Sequence, residues 1–96
     1  MKMLILIFNE AIDDEVMELL ETCKLDSYTR INTVFGKGRL SGAHLGTDIW
    51  PGRNNTLLLA VSDEAVEPLL NGVRELRKTM GAEGIKAFTW NLESVT

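Results

Sequence analysis

The sequence predicts a small α+β domain in which two helices cover one face of a four-stranded antiparallel sheet. Two short runs, residues 3–8 and 56–61, are continuously apolar and too short for typical helices, so each is interpreted as a strand buried on both faces. Each run is followed by acidic residues and then by apolar residues at helical spacing. Residues 28–35 and 85–92 instead alternate between two sets of side chains, which is typical of strands at sheet edges.

The predicted helices follow the two apolar strands directly. The first begins at Asp13, whose carboxylate is predicted to act as the N-cap while Ile12 and Met17 pack together as a hydrophobic staple. The second begins at residues 62–64, carries apolar side chains every three or four positions and is predicted to end at Gly81.

These elements follow one another in the order β-α-β-β-α-β, which is the ferredoxin-like arrangement. Right-handed crossovers then give an antiparallel sheet of strand order 4-1-3-2, with the two apolar strands in its centre. The helices cover only one face of this sheet, and no remaining segment can cover the other. The sequence therefore predicts self-association through the open sheet face, with a dimer and a trimer both compatible with the pattern.

The composition limits the function classes. The 96 residues form one predicted domain, 1–96, with 45% hydrophobic and 25% charged residues. The net charge of −4 argues against nucleic-acid binding, which depends on clustered Lys and Arg. No apolar run approaches the roughly 18–20 residues of a membrane span, so no direct membrane insertion is predicted. The single cysteine excludes an intrachain disulfide, and together these features predict a cytoplasmic protein.

The sequence contains no arrangement typical of an enzyme active site. No Ser or Cys has a plausible His and acid partner for nucleophilic catalysis. Cys23 lies on the apolar stripe of the first helix and is predicted to be a buried thiol. Neighbouring carboxylates occur at helix starts, where the helix dipole explains them. The protein is therefore predicted not to be an enzyme.

The connection 37–55 between the second and third strands is long, because about 2–6 residues is usual in compact domains. Gly36 and Gly38 begin a G-x-G-x-x-x-G pattern, and Lys37 and Arg39 alternate with these glycines. Glycines let backbone N–H groups approach an anion closely, and an arginine can bind a phosphate or carboxylate through two hydrogen bonds. The same glycines also fit a hairpin connection that needs positive φ, so both interpretations stay open.

The second part of the connection contains candidate partner contacts. Trp50 and Arg53 flank a Pro-Gly turn, and Trp50 either packs back on the scaffold or is exposed as an anchor for a partner. His44 has only Asp48 as a neighbouring ligand, which is too few for a zinc site within one chain. Several copies of His44 in an oligomer could still meet, so His44 stays a weak metal candidate.

Residues 34–42 read Val-Phe-Gly-Lys-Gly-Arg-Leu-Ser-Gly, which resembles the Val-x-Gly-x-Gly-Arg-x-x-Gly motif of the PII signal-transduction superfamily. The resemblance spans nearly the whole chain, from the first strand and the Asp-Asp helix start to residues 58–63 and the helix after them. It implies a trimer of ferredoxin-like subunits in which the connection 37–55 is the T-loop. It also implies a nucleotide site in the clefts between subunits, between the T-loop base and the glycine-rich B-loop before strand 4.

The resemblance carries ligand binding to six residues at the two loops. They are Gly36, Lys37, Gly38 and Arg39 at the T-loop base, with Gly84 and Lys86 beside the B-loop. The chain resembles a divergent member, because its B-loop is short and contains Glu83, and no basic residues follow strand 4. The loop has no Tyr, which excludes uridylylation there.

The predicted function is therefore that of a non-enzymatic PII-like trimeric regulator in signal transduction, as in nitrogen regulation. It is predicted to sense a small anionic ligand, such as an adenine nucleotide, in its intersubunit clefts. It is predicted to signal to a target protein, a transporter or an enzyme, through the 37–55 loop with Trp50 and Arg53 as contacts. The alternative is a CutA-like metal-binding or metal-tolerance trimer, which shares the trimeric fold and in which His44 is the metal candidate.

Overall fold

The computed structural model describes residues 1–36, 53–80 and 84–96. The chain forms elements of the predicted types in the predicted order. They are β1 (Lys2–Asn9), a short 3-10 helix (Glu10–Ile12), α1 (Asp13–Thr22), β2 (Thr29–Val34), β3 (Asn54–Val61), α2 (Asp63–Met80) and β4 (Ile85–Asn91). The two central strands extend beyond their apolar runs, because the asparagines at their ends also pair, Asn9 with Asn54 and Phe8 with Asn55.

The four strands form one antiparallel sheet of order β2-β3-β1-β4, which confirms the predicted order 4-1-3-2. Leu6 in the middle of β1 pairs with Leu57 of β3 on one side and with Ala87 of β4 on the other. This pairing brings the last residues of β1 and β2 to the same end of the sheet as the first residues of β3 and β4. We call this end, which contains Asn9, Val34, Asn54 and Ile85, the loop end.

The core lies between the sheet and the two helices. It is made of alternate residues of the central strands and of the inward faces of the helices, which is the pattern expected for a sheet with one covered face. Burial of each such leucine stabilises the fold by about 1.5–3 kcal/mol. The fully buried side chains of this core are Leu4, Leu6, Phe8, Val16, Leu20, Leu57, Leu59, Leu69, Val73 and Ile85.

Neither α1 nor α2 lies against the opposite face of the sheet. Ile5 of β1 and Leu58 of β3 are only partly buried there, so within one chain the central strands are buried mainly on the helix side. Phe88 and Trp90 of β4 are 48% and 47% exposed. Ile5 lies between Leu58 and Phe88 in the sheet, and Trp90 pairs with Met3, so these side chains form one apolar surface. We call this surface the open face.

The start of α1 differs from the prediction. Asp13 is the first residue of α1 and not its N-cap, and the preceding Ile12 makes no side-chain capping bond. A 3-10 turn comes first, and the Asn9 side chain caps it by accepting a hydrogen bond of 2.9 Å from the Ala11 N–H. The Asp13 carboxylate is thereby free to face Arg30 of β2, and Nη2 of Arg30 donates to it. Ile12 is buried in the core, and Met17 packs against the core.

β2 also departs from the predicted alternation. Ile31 pairs with Thr56 and Val34 pairs with Asn54, so two residues, Asn32 and Thr33, stand opposite the single residue between those partners. This is a β-bulge. It moves Val34 to the face of Ile31, whereas regular alternation over residues 28–35 would place Val34 on the face of Arg30.

The two helices contact each other at Gly72 of α2. A Cβ atom at this position would lie 2.1 Å from Cδ1 and 3.1 Å from Cγ of Leu19 in α1. A separation of 2.1 Å essentially never occurs for a real Cβ atom, so any side chain here displaces Leu19. The glycine therefore permits the close packing of the two helices.

Gly72→Ala is expected to destabilise the protein although alanine is the better helix former by about 1 kcal/mol. Overpacking costs about 1–3 kcal/mol, so a net loss of about 1 kcal/mol is expected, measured by thermal or urea unfolding. In a Leu19→Ala background the clash is absent, and the same substitution should stabilise instead. An equal effect of Gly72→Ala in both backgrounds would contradict the close contact.

Candidate functional site

Backbone hydrogen bonds join both glycine-bearing connections to the loop end of the sheet. The Asn9 N–H donates to the Gly84 carbonyl at 2.8 Å, and the Glu10 N–H donates to the Arg53 carbonyl at 2.9 Å. The end of β1 is thus hydrogen-bonded to Gly84, the residue before β4, on one side and to Arg53, the residue before β3, on the other. Gly36 follows β2 at this same end. Three of the sequence-predicted residues, Gly36, Gly84 and Arg53, are therefore brought to one end of the sheet.

The fold of the single chain does not require a glycine at position 36. The residue is exposed and its φ lies outside the left-handed region that favours glycine. A Cβ atom here would meet only Nδ2 of Asn54 at 3.9 Å, which is ordinary van der Waals contact. The hairpin interpretation, in which glycine supplies positive φ, therefore does not account for Gly36.

The side chains nearest the two connections are exposed. Lys86 is the second residue of β4 and pairs with Ile7, so it lies on the same side of the sheet as the open face. Arg53 is exposed beside β3. Phe35, next to Gly36, is 66% exposed, which is unusual for a large aromatic side chain and had no signal in the sequence. These groups supply cationic and aromatic surface around Gly36 and Gly84.

The remaining predicted site residues lie outside the described residues. They are Lys37, Gly38, Arg39, His44 and Trp50 of the long connection. Gly81, the predicted end of the second helix, and Glu83 of the B-loop also lie outside the described residues. Within the described ranges, no group of three or more His, Cys, Asp or Glu side chains is arranged to hold a metal ion. No helix among the described parts of the chain is both long and apolar enough to cross a membrane.

A polar network lies beneath the loop end, and the sequence reasoning missed it. Asp13 of α1 accepts hydrogen bonds from Arg30 of β2 and, at 2.9 Å, from Nδ2 of Asn55 in β3. Oδ1 of Asn55 accepts from the backbone N–H of Thr33 in the bulge at 3.1 Å. Arg30 also donates to Oδ1 of Asn32 at 2.5 Å. The only signal in the sequence was an asparagine just before an otherwise apolar strand.

Cys23 takes no part in this site. Its side chain packs against the core beyond the end of α1, and burial raises the pKa of its thiol above the ordinary value. The nucleophilic thiolate is therefore disfavoured at neutral pH. Cys23 follows the last residue of α1 and is only partly buried, whereas the sequence predicted a buried thiol within the helix.

The family model of nitrogen regulatory protein P-II matches residues 1–96 of the chain. This protein therefore belongs to the P-II family, as the motif in residues 34–42 indicated. The comparison with curated protein sequences found no match.

The fold is also that of solved PII-like structures. The apo form of CPII from Thiomonas intermedia K12, a nitrogen regulatory PII-like protein, superposes with a TM-score of 0.70 at 22% identity, covering 93% of this chain and 85% of that chain. CPII bound to ADP, AMP and bicarbonate gives a TM-score of 0.68 at 24% identity, with 95% and 88% coverage. CPII bound to ADP and bicarbonate gives 0.68 at 25% identity, with 93% and 82% coverage.

Proposed function

We propose that the protein is a non-enzymatic regulator that binds an adenine nucleotide at the loop end of its sheet. The observation that carries this proposal is that the fold of one chain does not require a glycine at position 36. An exposed glycine has no side chain that would keep a phosphate group away from the backbone. Membership of the P-II family and the ADP and AMP bound by CPII support the choice of nucleotide.

In the proposed site, glycine N–H groups and cationic side chains bind the phosphates. The exposed Lys86 ammonium is one described candidate, and Gly84 lies two residues before it with its carbonyl held by Asn9. Lys37, Gly38 and Arg39 complete the set through the family motif. Phosphate binding by such groups needs no catalytic acid or base, in keeping with a regulatory role.

We further propose that the protein is a homotrimer that associates through the open face. A surface containing Ile5, Leu58, Phe88 and Trp90 is larger and more apolar than isolated exposed side chains, and apolar patches of this kind mark interfaces. Lys86 projects on the same side of the sheet, so association there would bring it towards a second subunit. The nucleotide would then lie in a cleft between subunits.

The connection 37–55 is proposed to carry the signal to a target protein, a transporter or an enzyme. Arg53 is exposed at its root, and Trp50 is the second proposed contact. The predicted cytoplasmic location belongs to the same proposal. The metal-tolerance alternative depends on His44, which is outside the described residues, and no described side chain favours it.

Calorimetry with ATP, ADP, AMP and cyclic dinucleotides tests the ligand. We expect the wild type to bind at least one adenine nucleotide and Gly36→Ala to bind it about tenfold or more weakly. The unfolding free energy of this variant should stay within about 0.5 kcal/mol of the wild type, because its Cβ fits.

Lys86→Gln should also weaken binding. Lys24→Gln is the matched control, since Lys24 is exposed beyond the far end of α1. Absence of binding by the wild type at millimolar concentration would exclude the nucleotide.

A further inference from the structure

Thr33 in the bulge of β2 has an unusual backbone conformation. Its φ is 59°, in the left-handed region, which β-branched residues rarely occupy because the side chain crowds the backbone. The strand therefore holds a strained residue three positions before Gly36. Strain of this kind persists only where surrounding interactions hold the residue in place.

Asn55 supplies such an interaction from the neighbouring strand. It is only 6% exposed, and its Oδ1 accepts a hydrogen bond from the Thr33 N–H at 3.1 Å. Its Nδ2 donates to Asp13 at 2.9 Å. The orientation of the amide is fixed, because exchanging its nitrogen and oxygen would oppose donor to donor at Thr33 and acceptor to acceptor at Asp13.

Asn32, the other residue of the bulge, is held by the same network. Arg30 donates through Nη2 to the Asp13 carboxylate and through Nε to Oδ1 of Asn32. Both bulged residues are thus connected to the start of α1, one through Asn55 and one through Arg30. A bulge bends its strand and changes the direction in which the chain continues.

We propose that Asn55 is a positioning residue for the ligand site: by holding Thr33 in its left-handed conformation, it sets where Gly36 lies relative to Gly84 at the loop end. This role builds on the proposed nucleotide site, since Asn55 is buried and would act on the ligand only through the bulge. It connects the first residue of α1 to the segment that precedes the Gly-x-Gly-Arg motif. Residues that are distant in the sequence from the loop base thereby determine its geometry.

Three variants test this role by calorimetry with ADP. Asn55→Ala is expected to bind ADP about tenfold more weakly than the wild type at unchanged oligomeric mass. Thr33→Gly should keep the wild-type affinity and melt at a higher temperature, because glycine adopts positive φ without strain and keeps its N–H. In the double variant, Thr33→Gly should restore part of the affinity that Asn55→Ala loses. Binding is measured well below the melting temperature of every variant, so that differences in general stability do not affect the affinity.

Amide hydrogen exchange of the wild type provides a test that does not depend on folding of any variant. The Thr33 amide is expected to exchange at least about tenfold more slowly than the exposed amides of residues 26–28. Fast exchange at Thr33 would overturn the proposal. So would equal ADP affinity of Asn55→Ala and the wild type. If the wild type binds none of ATP, ADP and AMP, the proposed function fails, and slow exchange at Thr33 with a shifted Gly36 amide resonance in Asn55→Ala would still support the positioning role.

Discussion

Ile5→Asp should dissociate the protein into monomers at micromolar concentration. Ile5 lies at the centre of the open face, between Leu58 and Phe88 on the neighbouring strands. A carboxylate buried there without a partner costs several kcal/mol in each subunit, and every 1.4 kcal/mol weakens association about tenfold. Sedimentation velocity measures the mass directly, and circular dichroism checks that the fold is kept.

Two further variants make this result specific to the open face. Phe88→Asp changes a side chain that is 48% exposed in the single chain, so it should dissociate the oligomer with less effect on the fold. Val95→Asp introduces the same charge at a residue that is 65% exposed and follows β4, and it should leave the mass unchanged. An unchanged mass for both Ile5→Asp and Phe88→Asp, or a monomeric wild type, would contradict association through the open face.

The fold was predictable because its strongest signals are local. The two apolar runs, 3–8 and 56–61, are each long enough for one strand and are followed by a helical period, so strand and helix were separable from the sequence. Right-handed crossovers then left one sheet order, which the structure confirms. The apolar residues left on the uncovered side, such as Ile5 and Leu58, gave the open face by the same reasoning.

The bulge and the network were not predictable, because each depends on contacts between distant residues. Residues 28–35 alternate well enough to predict a regular strand, and Thr33 by itself gives no sign of positive φ. Its partner Asn55 is 22 positions later. Asp13 was misassigned for the same reason: an aspartate at a helix start usually caps the helix, and only the position of Arg30 shows that it does something else. The 3-10 turn that shifts the start of α1 also has no distinct signal.

The loop end could be predicted in part. Antiparallel pairing brings the residues after β2 and before β3 and β4 to one end of the sheet, so the sheet order places Gly36 and Gly84 at the same end, on its two edge strands. The resemblance of residues 34–42 to the PII motif supplied the choice of these residues, which stays a prediction. The exposure of Phe35 was not foreseen. The alternation of residues 28–35 assigned Phe35 to one face of the strand, whereas β2 ends at Val34, one residue before it.

Asp13→Ala is expected to lower the free energy of unfolding by about 2–3 kcal/mol. The substitution removes the acceptor of both Arg30 and Asn55, and Asn55 is buried, so its Nδ2 loses its described partner away from water. An unsatisfied buried donor costs about 1–3 kcal/mol, and the guanidinium loses its ion pair as well. Urea unfolding at one fixed protein concentration measures the change, because association contributes to the apparent stability.

The neighbouring residue provides a matched control for this substitution. Asp14 also lies in the first turn of α1 and is exposed, so Asp14→Ala removes the same favourable interaction with the helix dipole, about 0.3–1 kcal/mol, without touching the network. Arg30→Met removes the guanidinium, including the Nη1 that donates to Sδ of Met17, but keeps an apolar side chain, and it should cost clearly less in the Asp13→Ala background than in the wild type. Equal losses for Asp13→Ala and Asp14→Ala would mean that the Asp13 carboxylate acts only through the helix dipole. The bulge would then be held by Asn55 without support from α1.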